Sequence, residues 1–211
     1  MILATLCIFL PAVACSAALV NRTIDDLYGD SSTGFIPTYL PPGNAWKNGS
    51  TCTICNIYPA YLGHYPATSG GGVAVDISQV FDTTWHDALF HPGQQPPSFI
   101  VRFSGQAVYV FNTIANVVAK TTTATNLVFT LDGAAVGYYE HIPDPNGPEL
   151  IYQVPVYVNE SLRDGNHTLV VSAQNTTTQS VILFDYIIYT VVDALVEGTT
   201  SACFTDQTSN F

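Results

Sequence analysis

The segment Trp85-His86-Asp87-Ala88-Leu89-Phe90-His91 gathers an indole, two imidazoles and a carboxylate in one short run. Such a set can serve a sugar, whose C–H face packs on a flat aromatic while neighbouring polar groups take its hydroxyls. Trp85 is then the stacking platform, and His86 and Asp87 are the nearest hydrogen-bonding groups. The competing reading makes Trp85 core, with the histidines satisfying backbone groups. A metal site at His86, Asp87 and His91 lacks any further ligand cluster. Gly137-Tyr138-Tyr139-Glu140-His141 is a second grouping. Successive strand residues face opposite sides, so one tyrosine belongs to the core, and Tyr139 is assigned to the ligand. Glu140 facing Asp87 across a cleft would make a glycosidase acid and base. No nucleophile or metal motif accompanies them, so binding without turnover is expected, and the chain is not expected to be an enzyme.

Cys52-Thr53-Ile54-Cys55 is a CxxC. A redox site needs a helix N-terminus to acidify the thiol, and nothing nearby has helical periodicity. A four-ligand zinc site needs a second pair, which is missing. An exported chain favours a disulfide. Cys52–Cys55 is the expected bond, and a bond from Cys203 to either of them is the alternative.

The elements that must position these groups read as strands. Phe99, Val101 and Phe103 alternate with Ile100, Arg102 and Ser104; Ala107, Tyr109 and Phe111 alternate with Val108 and Val110. Leu127, Phe129 and Leu131 lead into Asp132-Gly133, a strong hairpin signal. Pro155 within Tyr152–Val158 puts that strand at a sheet edge or a bulge. Leu169-Val171-Ala173 and Ile182-Phe184-Tyr186-Ile188 complete the set. Period-2 alternation in consecutive segments predicts an all-β chain, an antiparallel two-sheet β-sandwich over residues 19–192. Phe103, Tyr109, Phe129, Leu169 and Phe184 are the expected core. Runs apolar on both faces, such as Ala107–Phe111, predict central strands or an outer face covered by loops.

The chain has 211 residues, five Lys and Arg, 16 Asp and Glu, and a net charge of −11. That balance excludes the basic footprint of a nucleic-acid binder and electrostatic attachment to anionic lipid. Residues 1–18 are uncharged apart from the terminus and end in small residues, the pattern of a secretory signal peptide. Residues 193–211 read as a polar tail. No later stretch is apolar and long enough to span a bilayer, so the mature chain is expected to have no membrane span. Five Asn-X-Ser/Thr sequons, at Asn21, Asn48, Asn159, Asn166 and Asn175, agree with export as a glycoprotein. The expected location is extracellular or in the cell wall.

Phe103-Ser104-Gly105-Gln106-Ala107 resembles the paired-strand motif of galactose-binding-like jelly rolls. Leu131-Asp132-Gly133 resembles the hairpin that follows it. Asp164-Gly165-Asn166-His167-Thr168-Leu169 resembles their penultimate strand, and Phe184-Asp185-Tyr186-Ile187-Ile188 their last. Ile24-Asp25-Asp26 through Trp85-His86-Asp87 is similar to exported fungal proteins built on this sandwich, most without an assigned activity. The resemblance implies a jelly-roll fold and an exported protein. It also implies a structural calcium between the N-terminal segment and the last strand, with Asp25, Asp26 and Asp185 as its ligands; the competing reading has Asp25 and Asp26 capping turns and Asp185 hydrogen-bonded to backbone, and no other cofactor is expected. Three function classes follow. The first is a module binding an extracellular glycan or cell-wall component, the second a recognition ectodomain without its anchor, and the third a polysaccharide-acting enzyme. The first is the one the residues favour.

Overall fold

The structure, a computed structural model, describes residues 17–52, 55, 58–59, 74–118 and 121–194. Most of the expected leader, the chain beyond Ala194 and Cys203 lie outside the described residues.

Among the described residues, thirteen strands build two packed antiparallel sheets and a small parallel pair. The first sheet runs β11 (Leu150–Asn159), β8 (Ala107–Ala115), β13 (Ser180–Ala194), β6 (His86–Phe90) and β3 (Trp46–Asn48), with β1 (Ala17–Asp25) also on β13. The second runs β10 (Ala134–His141), β9 (Thr125–Leu131), β12 (Gly165–Ala173), β7 (Ser98–Gly105) and β2 (Thr38–Leu40). The pair is β4 (Tyr58–Pro59) with β5 (Ala74–Val75). No α-helix occurs among the described residues, and the expected β-sandwich is the fold observed.

Local chemistry explains the connections. Asp132 and Gly133 both take positive φ, 51° and 83°, as a two-residue hairpin turn requires, and join β9 to β10. Pro155 sits in β11, which is the edge of its sheet, beside a register shift between Pro155 and Tyr157.

Phe103, Phe129, Leu169 and Phe184 lie buried between the sheets as expected. Tyr109 does not. It is half-buried, and its hydroxyl donates to Glu160 at 2.9 Å. β8 is apolar on both faces, so alternation alone gives it no phase. Pairing decides: Val108 and Val110 lie opposite Tyr189 and Ile187 of β13, and all four enter the core.

A second apolar cluster covers the outer face of the first sheet. Val75, Val80, Trp85, Ala115, Val118, Leu150, Val181 and Leu183 are buried there. The double-faced hydrophobicity of β8 and β13 therefore reflects a sheet covered on both sides.

β13 organises the remainder. One side carries β8. On the other side β6 pairs with its first five residues, Ser180–Phe184, and β1 with Tyr186–Ala194. Phe184 lies opposite His86 and Tyr186 opposite Asp25. Asp185 therefore stands at the gap where one neighbour ends and the other begins, and β13 has a bulge against β8 at the same place. A bulge re-aims the side chain it carries.

Candidate functional site

Strand ends that meet at Asp185 bring Asp25, Asp26, Thr84 and His86 together from distant parts of the sequence. Asp25 ends β1, and its Oδ1 accepts the backbone N–H of Leu27 at 2.9 Å and of Tyr28 at 2.6 Å. This closes a tight turn, sealed by reciprocal backbone bonds between Asp25 and Gly29. Asp26 is wholly buried. Thr84 Oγ1 donates to its Oδ1 at 2.5 Å, and its Oδ2 lies 2.6 Å from His86 Nδ1. Tyr39 stacks on the His86 ring at 4.0 Å and donates its hydroxyl to the Asp26 carbonyl. Asp185, also wholly buried, accepts the Phe81 N–H on Oδ1 at 2.9 Å; its Oδ2 has no partner.

Three carboxyl groups with little water raise one another's proton affinity. Burial pushes Asp185 up to about 8, helped by the charges of Asp26 and Asp25. Burial also raises Asp26 to about 6, against the pull of its bonds to His86 and Thr84. Asp25 is raised by burial too, in spite of the two N–H groups it accepts.

A cleft of about 560 Å³ opens beside this cluster. Arg22, Asp25, Tyr28, Phe81, Asp82 and Asp193 line it, with Asn21, Ser31 and Ser32 among the polar groups of its wall. Tyr28 is 65% exposed. Asp82 and Thr83 hold φ of 44° and 63°, left-handed backbone at two adjacent non-glycine residues. Such strain persists only where the surroundings impose it. Here Asp185 holds Phe81 just before the pair, and Thr84 is tied to Asp26 just after. Arg22 reaches Asp193 at 3.5 Å.

The residues assigned to a ligand from sequence do not assemble. Trp85 is buried completely, which overturns its role as an exposed stacking platform. Its side chain points to the outer face of the first sheet and into the second apolar cluster. Gly49 lies so close that any Cβ there would collide with the indole, and its N–H donates to the Trp85 carbonyl at 2.7 Å. His86 takes the opposite phase and faces the space between the sheets, engaged with Asp26. Asp87 returns to the outer face, is itself buried, and borders a smaller polar cleft of about 360 Å³ with Lys47, His91, Gln94 and Gln95. Tyr139 is half-buried against the main core, so the exposed tyrosine of the pair is Tyr138, at 77%. With Tyr139 turned inward, Glu140 points outward from the second sheet, while Asp87 lies outside the first. The two carboxylates cannot face one another.

Asp25, Asp26 and Asp185 do come together, as the calcium reading requires. Their oxygen chemistry suits a hard cation, and Asp185 Oδ2 is free to ligate. The arrangement nevertheless does not fit one. Asp26 has both oxygens engaged by Thr84 and His86, and Asp25 Oδ1 is committed to its turn. No three acidic, histidine or cysteine side chains converge with metal-ligand spacing among the described residues. Cys52 and Cys55 are joined by a disulfide, the expected pairing. Of the five sequon asparagines, Asn21, Asn166 and Asn175 are exposed and Asn48 and Asn159 are half-buried.

Tyr28 and Asp82 are the groups that sequence reading missed. The signal for Tyr28 was its place in Asp25-Asp26-Leu27-Tyr28-Gly29-Asp30, where a turn between two acidic residues pushes an aromatic outward. Asp82 carried no signal, because its left-handed backbone is imposed by Asp185, far away in sequence.

No family model and no curated protein matches the chain. Among solved structures it is similar to an exo-β-1,3-galactanase from Phanerochaete chrysosporium crystallised with β-1,3-galactotriose, at 16% identity and a TM-score of 0.35. The match covers 53% of this chain and 24% of that one. It is also similar to the Agl-KA catalytic domain, at 11% identity and a TM-score of 0.40, covering 88% of this chain and 30% of the other. At these scores the likenesses carry no argument about activity, and the chain spans less than a third of either neighbour.

Proposed function

We propose that this chain is a non-catalytic carbohydrate-binding β-sandwich of the galactose-binding-like kind, exported to the cell exterior or wall, with the cleft beside Tyr28 as its binding site. The observation that carries the reading is Tyr28 itself: a 65% exposed ring at the rim of a polar cleft, fixed by the Asp25 turn. The ring offers a stacking face to a pyranose. Arg22, Ser31, Ser32 and Asp82 offer donors and acceptors around it. Binding without turnover agrees with the separation of Asp87 from Glu140. The leader pattern and the exposure of Asn21, Asn166 and Asn175 support an extracellular site of action.

An open site with one stacking face gains little after desolvation, so dissociation constants of about 0.1–1 mM are expected. The test is a glycan array on the secreted protein, with and without chelator, followed by titration of the best ligand. Tyr28→Ala should abolish binding and leave the thermal midpoint within a degree or two. A silent array, or a Tyr28→Ala protein that binds normally, removes the cleft as the site. Release of sugar from any array ligand would replace binding with catalysis.

A further inference from the structure

His167 joins two loops at one end of the sandwich through both of its ring nitrogens. Nδ1 lies 2.7 Å from Asp132 Oδ2, in the turn between β9 and β10. Nε2 lies 2.8 Å from the Arg163 carbonyl, in the loop that leads into β12. Neither partner can donate, since one is a carboxylate held below its usual value by this contact and the other a backbone carbonyl. Both nitrogens must therefore carry hydrogen, and the ring that fits this geometry is the imidazolium. Its side chain is 10% exposed and packs on Phe103 at 5.4 Å. Asp132 acts on it most strongly among the charged groups, and the Gly105 carbonyl of β7 adds to the pull. Arg102 of β7, Arg163 and Asp164 are exposed, and Glu160 takes the Tyr109 hydroxyl.

Loss of the proton does not affect the two contacts equally. The charged Asp132 is the stronger acceptor and keeps the hydrogen on Nδ1. Nε2 then turns a lone pair toward the Arg163 oxygen, a repulsive contact. The turn has two further holds on β12: Thr168 N–H on Asp132 Oδ1 at 2.8 Å, and Asp132 N–H on the Thr168 carbonyl at 2.9 Å. The loop has Leu162, whose N–H meets the Gln106 carbonyl at 3.0 Å and whose half-buried side chain rests on the core. We propose that His167 is a one-sided pH clasp: protonated, it fastens residues 161–164 to the β9–β10 turn, and neutral, it stays on Asp132 and releases them. Release lifts Leu162 from the core and frees the segment between the sequons at Asn159 and Asn166.

Two measurements on the whole protein between about pH 5 and 8 test the clasp. Nitrogen-15 NMR should show both ring nitrogens of His167 protonated in acid, and above the transition a neutral ring with its hydrogen on Nδ1. Hydrogen exchange, corrected for its intrinsic pH dependence, should show protection of the Leu162 amide falling at least about tenfold across the same transition. The Thr168 amide should keep its protection. His167→Gln should remove the Leu162 step. Asp132→Asn keeps an acceptor for Thr168 and tolerates the positive φ, and it should move the step to lower pH. A neutral ring with its hydrogen on Nε2 overturns the release of Arg163. So does a Leu162 step that persists in His167→Gln, or Leu162 protection that does not change with pH. If neither variant folds, the ring state and Leu162 exchange of the unaltered protein decide between the same outcomes.

Discussion

Trp85 and Tyr28 show how two aromatic residues exchange the roles their sequence settings suggest. Trp85 has polar neighbours on its C-terminal side, yet it fills the second apolar cluster with Gly49 against its face. Trp85→Ala should therefore cost about 3–5 kcal/mol in denaturant unfolding, with sugar binding kept in the fraction still folded. A loss below about 1 kcal/mol would put the indole back at the surface. Gly49→Ala tests the same contact from the other side and should cost about 1–3 kcal/mol through overpacking. In the main core, Phe129 is fully buried and stacked on Tyr157 at 4.8 Å. Phe129→Ala should lie in the same 3–5 kcal/mol range, read by the shift of the urea midpoint at constant slope. At this scale sequence resolves residue type and alternation well. It cannot tell which side of a strand a cover segment will occupy, and that decided Trp85.

The strands were readable in the sequence because each carries its own pattern, whereas the junction on β13 was legible only through the jelly-roll resemblance, which grouped Asp25, Asp26 and Asp185 but not Thr84 and His86 with them. Asp185 meets Asp25, Thr84 and His86 only because β1 and β6 share one side of β13 and stop on either side of it. Nothing within eight or ten residues of any of the four encodes that meeting. The junction has a titration signature. Asp185, near 8, and Asp26, near 6, both stand above the ordinary carboxylate value of 3.8. Between the ordinary and the raised value the folded chain holds a proton that the unfolded chain has released. Stability therefore falls as pH rises through that interval and levels off above it. The thermal midpoint should decline from about pH 4 toward 8, with the part due to Asp26 complete near 6 and the part due to Asp185 near 8. Asp185→Asn keeps an acceptor for the Phe81 N–H and removes the ionisation, so its midpoint should fall less than the wild type's between pH 6 and 8, the remaining decline being that of His167. A wild-type midpoint that climbs across pH 6–8 would mean that the cluster does not hold its protons.

For the molecule as a whole, charge and cover reinforce each other. With 16 acidic and five basic residues, the surface depends on solvent and a few pairs such as His167 with Asp132 at 2.7 Å. Burial alone would lower His167, but its bonds to Asp132 and the Arg163 carbonyl outweigh it and raise the ring above its usual value. Asp132 is lowered by the same contact, so the pair holds from the lowered value of Asp132 up to the raised value of His167 and is lost as pH rises through the latter, the same direction as the buried carboxyls. The second sheet ends in an unguarded edge at β10, where Val136 is 39% and Tyr138 77% exposed. Val136→Lys should leave stability within about 0.5 kcal/mol, since that side chain packs on little. It should also reduce self-association at high concentration, measured by light scattering, because an edge lysine discourages strand pairing.

The pairing of β1 with β13 runs antiparallel from Asp25 opposite Tyr186 to Ala17 opposite Ala194. Without the expected leader the ladder begins at Leu19 opposite Val192, so residues 19 and 192 leave the sandwich side by side, and tension applied between them pulls along the rungs, at right angles to the strands. Under such a load the rungs open one after another, like a zipper, instead of resisting together in shear. The last to open is the rung at Asp25, where the turn carrying Tyr28 begins. A pulling experiment through these two positions should show β1 peeling away at low force before the rest of the sandwich yields, with ligand in the Tyr28 cleft raising the force of the final steps.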